Sequence, residues 1–118
     1  MYEYKATVKR VLDGDTVELD VDLGFGIWNL GSKYRLAGIN AYSTRSKDPE
    51  EKMKGVLGKE RLLELCPIGS EVTVLIKKAK EKYGRYLTVI QTNVIGADNV
   101  NQILLKEGLA VPYYEMFD

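Results

Sequence analysis

The stretch Thr16–Leu23, TVELDVDL, carries the clearest periodic signal in the chain. Val17, Leu19, Val21 and Leu23 point one way and Glu18, Asp20 and Asp22 the other, the mark of a strand with one buried face. Upstream, residues 3–12 also alternate, with Tyr4, Ala6 and Val8 opposite Lys5, Thr7 and Lys9, before the chain turns at DGD, residues 13–15. The two segments predict a hairpin. Downstream, GFGIWNLGSK (24–33) reads as a glycine-rich loop, and YRLAGINA (34–41) as a third strand.

The period then changes. In the segment 43–67, Asp48 as N-cap, Pro49 at the first helical position and Glu51 at the third form a capping-box pattern, which predicts a helix to about Leu65, ahead of Pro67. Met53, Val56, Leu57 and Leu63 fall near one face of it, while Gly55 and Gly58 weaken it and allow close packing. Val72, Val74 and Ile76 mark a fourth strand and YLTVIQTNV (86–94) a fifth. NVNQILLKEGLA (99–110) predicts a short amphipathic helix with Ile103, Leu104 and Leu105 inside and Gly108 as its left-handed cap. Five strands with a helix between the third and fourth, and a short C-terminal helix, suit an α+β chain folded as a closed five-stranded Greek-key barrel of the OB type. Ile27 and Trp28 then cover an open barrel end or form an exposed nucleobase platform.

A length of 118 residues fits one domain, 1–118, with one core. Seventeen Lys and Arg balance 17 Asp and Glu, so no global basic field exists to hold a long polyanion. There is no apolar signal core and no membrane-spanning run, and the lone Cys66 has no partner for an intrachain disulfide. These features predict a soluble, cytoplasmic monomer with Cys66 as a buried apolar residue. Histidine is absent, which excludes imidazole bases, Ser-His triads and His-based zinc sites.

VLDGDTVEL (11–19), YRLAGINA, EKYGRYL (81–87) and VNQILLKEGLA (100–110), in this order and at these separations, resemble the staphylococcal nuclease (thermonuclease) family across nearly the whole chain. The resemblance implies a calcium-dependent phosphodiesterase site acting on DNA and RNA. By position it makes Asp15 a Ca2+-ligating carboxylate, Arg35 and Arg85 the catalytic arginines on the scissile phosphate, and the Ala41 carbonyl a further metal ligand. It gives Lys82 and Tyr83 contacts to a terminal phosphate and nucleotide, and Tyr113 and Tyr114 the packing of a base. These types suit the chemistry: a hard cation takes oxygen ligands, and guanidinium forks neutralise charge growing on a five-coordinate phosphorus. Asp13 belongs to the turn.

Two positions depart from the family pattern. Asn40 stands where the family has a second calcium-ligating aspartate, and Ser43 where it has the glutamate that activates water, with Tyr42 in place of a proline. Asn40 offers only a neutral oxygen, and Ser43 is no base near neutral pH. Asp48 and Glu50 are the nearest acids that could substitute, if the loop folds back. The sequence thus supports an impaired calcium-dependent nuclease or a catalytically inactive module that binds a nucleotide or single-stranded nucleic acid. A protein-interaction role for the barrel is a third reading that no motif supports.

Overall fold

A computed structural model describes residues 2–80, 85–91 and 98–113. Strand β1 (Tyr2–Asp13) turns at Gly14 into β2 (Thr16–Gly24), which pairs with β3 (Ile27–Leu36). After β4 (Ile39–Ala41) comes helix α1 (Pro49–Leu65), then β5 (Glu71–Lys80), β6 (Tyr86–Gln91), α2 (Val100–Lys106) and β7 (Ala110–Pro112). The barrel closes in the order β1-β2-β3-β6-β5, with β5 returning to β1. Among the described strands only β3 and β6 run parallel, so the sheet is mixed. Closure removes the exposed edges that an open sheet of this composition would present.

The alternation that marks β2 also sets the core. Val17, Leu19 and Val21 are buried with Ala6 and Val8 from β1, Tyr34 and Leu36 from β3, and Val74 and Ile90 from β5 and β6. Leu62 and Cys66 from the end of α1, and Val100 and Leu104 from α2, join this cluster. Burial pushes the Cys66 thiol up to about 12, so it behaves as the small apolar residue expected. The Tyr34 and Tyr86 rings stack across the parallel pair, their centroids 5.7 Å apart.

Four local expectations are corrected. The glycine-rich loop is short: Phe25 and Gly26 alone join β2 to β3, both with positive φ (57° and 76°), as a two-residue hairpin turn with right-handed strand twist requires. Ile27 and Trp28 are therefore strand residues, and both are exposed. The third strand breaks at Gly38 (φ 78°), and β4 leaves the barrel to pair with β7, Asn40 opposite Val111. Helix α1 faces inward through Gly55, Gly58 and Leu62, whereas Met53, Val56, Leu57 and Leu63 are exposed. The reason is close approach, since a Cβ on Gly55 would lie 2.6 Å from the Ser43 carbonyl carbon and oxygen. Finally, Asp48 caps α1 by accepting from the Glu50 amide, but Glu51 accepts the Ser46 hydroxyl instead of completing the box.

Helix α2 carries the complete box, Asn99 with Gln102, and ends as expected at Gly108 (φ 72°). There the Leu109 amide donates to the Leu104 carbonyl and the Gly108 amide to that of Leu105, a Schellman ending that turns the chain into β7. Leu104 is buried, with Ile103 and Leu105 half-buried.

Candidate phosphate site

The pairing of β2 with β3 sets Thr16 opposite Arg35, so Asp15, at the foot of β2, comes beside the arginine. The Leu36 amide donates to the Asp15 carbonyl and fixes that approach at 2.8 Å. Asp15 Oδ2 meets Arg35 Nη1 at 2.8 Å and accepts from the Ala41 amide at 2.8 Å, while Oδ1 accepts from the Thr16 hydroxyl at 3.0 Å. Arg35 Nη2 donates to the Ile39 carbonyl at 3.1 Å and to Asn40 Oδ1 at 3.0 Å. Both charged residues are 6 % exposed. Such burial is tolerated because each charge has a partner and further hydrogen bonds.

Tyr113 roofs the cluster, its ring centroid 5.3 Å from Arg35 Cζ. The β4–β7 pairing delivers it, and its amide donates to the Gly38 carbonyl. The structure thus brings together Asp15, Arg35, Asn40, Ala41 and Tyr113. Arg85 is half-buried and immediately precedes β6, the strand beside Arg35. Lys82, Tyr83 and Tyr114 lie outside the described residues. Asp13 accepts from the Gly14 amide, the turn role expected of it.

The acids proposed as substitutes do come near the strand. Asp48, Glu50, Glu51, Lys54 and Tyr42 line one open hollow, with Lys54 Nζ 5.1 Å from the Tyr42 ring centroid. Asp48 and Glu51 are committed to the helix start, and Lys54 offsets the negative charge. The exposed Ser43 accepts from the Arg45 amide in a local turn.

Asn101 was not foreseen. It is buried, donates to the Ala37 carbonyl at 2.8 Å and the Thr88 carbonyl at 3.1 Å, and accepts from the Ile90 amide at 3.3 Å. It thereby anchors the turn between Arg35 and Asn40. Its sequence signal was a polar residue between Val100 and Leu104 on the apolar side of α2.

The donor set at Arg35 does not fit calcium. A Ca2+ ion takes six to eight oxygens, whereas the side chains here offer one carboxylate with both oxygens engaged and one neutral amide that, like the Ile39 carbonyl, is already bound to a guanidinium. Among the described residues, no group of three or more acidic, histidine or cysteine side chains is placed to hold a metal.

A small closed barrel with an arginine–carboxylate pair at the foot of its second and third strands, roofed by a tyrosine, defines a nuclease-type OB domain. The staphylococcal nuclease homologue family matches residues 33–118, and the chain belongs to that family. It is also similar to endonuclease YhcR of Bacillus subtilis (strain 168), 33% identical over 119 residues. That match covers 95% of this chain but 9% of the relative, so the chain spans a small part of that protein's length.

Proposed function

We propose that the domain recognises the phosphodiester of nucleic acid, or a small nucleotide, at the Arg35–Tyr113 face and that it cleaves the ester slowly. The reading rests on Arg35 held between Asp15 and Asn40 beneath an aromatic ring, in a chain of a nuclease family whose relative is named an endonuclease. Guanidinium and ring are the parts that recognise a phosphate and a base. Equal numbers of acidic and basic residues favour a short ligand over a long polyanion. By the family resemblance, Arg85, Lys82, Tyr83 and Tyr114 would contact the same ligand.

Slow cleavage follows from Ser43. Loss of a positioned general base lowers a rate by about 10²–10⁴. Calcium, the cofactor implied by family resemblance, is held weakly at best, since Asn40 removes a formal charge and the Asp15 carboxylate is already paired with Arg35. The proposal includes a monomeric, cytoplasmic protein, supported by the single buried Cys66; no described helix is long and apolar enough to cross a membrane.

The test is single-turnover cleavage of labelled single-stranded DNA and RNA by excess protein, in calcium and in chelator. Wild type should cut slowly, Arg35→Ala should not cut, and Asn40→Asp/Ser43→Glu should cut about 100-fold faster. Failure of wild type and double variant to cut, together with no heat on titration of a nucleoside 3′,5′-bisphosphate, would reject the proposal. Bisphosphate binding without cleavage would identify the inactive binding module, a reading that the engagement of Ser43 in its local turn favours.

A further inference from the structure

Three oxygens that face Arg35 come from separate residues of the site: Asp15 Oδ2, the Ile39 carbonyl and Asn40 Oδ1, all 2.8–3.1 Å from guanidinium nitrogens. Of these three, one is anionic and two are neutral. A set of oxygens gathered from separate segments around one buried positive centre is what a bound cation ordinarily organises. Here the centre is covalently part of the chain. The geometry points to Arg35 as an internal cation: its guanidinium bridges the foot of β2 to β4, so that folding of the domain and its affinity for a phosphate ligand are independent of Ca2+.

Two physical arguments carry this. A divalent ion entering the cluster would bring the net charge of ion, Asp15 and Arg35 to plus two, with the guanidinium in the same shell of oxygens. To reach Asp15 Oδ2 the ion would also have to displace Arg35 Nη1 and compete with the Ala41 amide. That would break the ion pair of a 6 %-exposed arginine, a costly step for a buried pair. Asn40 fits the same arrangement, because an amide oxygen accepts from Nη2 without adding negative charge that would invite a metal.

The phosphate half of the inference rests on the function proposed above, and the experiment separates the two. Thermal unfolding of wild type and Asn40→Asp is compared in calcium and in chelator, beside calorimetric titration of a nucleoside 3′,5′-bisphosphate under both conditions. Wild-type melting should coincide in the two buffers, bisphosphate affinity should agree within about twofold, and Asn40→Asp should melt higher in calcium. A saturable rise of wild-type melting with calcium, or bisphosphate binding about tenfold tighter in calcium, would overturn the inference. So would calcium indifference in both proteins, because the oxygens around Arg35 would then form no cation position even with a second carboxylate. Absence of bisphosphate binding under every condition would sink the phosphate reading, and the melting comparison would still decide whether Arg35 replaces the metal.

Discussion

Replacing Gly55 by alanine should destabilise the domain although alanine is the better helix former. In a helix interior, Gly→Ala gains about 1 kcal/mol from backbone entropy alone. At position 55 the added Cβ would lie 2.6 Å from both the carbonyl carbon and oxygen of Ser43 and 2.8 Å from the Thr44 amide nitrogen. Ordinary contact begins near 3.4 Å, so α1 or the 43–44 backbone must shift by most of an ångström. Overpacking costs about 1–3 kcal/mol, and rigid backbone on the far side puts this case at the upper end. The net expectation is a loss of about 2 kcal/mol, or about 8 °C in Tm for a domain of this size. Gly58 is the internal control. Its Cβ would meet the Leu109 carbonyl oxygen at 3.3 Å and the Leu109 Cβ at 3.8 Å, a contact that small adjustments relieve. Gly58→Ala should therefore stay within about 1 kcal/mol of wild type. Urea denaturation of the three proteins, with m unchanged, measures the differences. A Gly55→Ala protein as stable as Gly58→Ala, or more so, would refute the seating of α1 against the 43–44 backbone that follows β4.

Arg35→Ala should cost about 3–5 kcal/mol by leaving Asp15 buried without its partner, and Asp15→Asn/Arg35→Gln should lose less than Arg35→Ala; denaturant midpoints decide it. Cys66 and Tyr34 are raised by burial to about 12 from 9.0 and 10.0, so the fold holds both protonated. Their contribution to stability is fully present below the unfolded values and is lost as pH rises through about 12, so urea midpoints should fall above about pH 9. Cys66→Ala should flatten the first part of that fall. Phe25→Asn should stabilise by about 0.5–1 kcal/mol, because the fully exposed Phe25 holds a positive φ of 57° that asparagine adopts at lower cost; thermal melting checks it.

The barrel was legible because its strands announce themselves locally. Val17, Leu19 and Val21 alternate in sequence and are buried in the structure. The errors arose where packing opposed the usual meaning of a residue type. Large apolar side chains on α1 looked inward-facing, but backbone at Ser43 and Thr44 comes so near that only glycine fits, and the helix turned Met53 and Val56 outward. The link after β2 reads as a longer loop because glycines on both sides of Phe25 mask a turn of two residues. Strands β4 and β7 pair over three residues each, across a gap of about 70 positions, which local periodicity does not encode.

The site divides along the same line. Asp15, Arg35, Asn40, Ala41 and Tyr113 were named through family resemblance, and their convergence depends on contacts distant in sequence, above all β4 with β7 and Thr16 with Arg35. Asn101 depends on them too, since its role exists only where α2 meets the turn after β3. At Asn40 the sequence showed the loss of a metal-binding charge. The structure adds what the amide does in its place: it accepts a hydrogen bond from a guanidinium that is also paired with Asp15. An aspartate there would leave two carboxylates around one arginine and restore a net negative charge that a cation could satisfy. Asparagine instead gives Nη2 a neutral acceptor, so under the proposal above the residue that removes a metal-binding charge also helps to hold Arg35 in the metal's place.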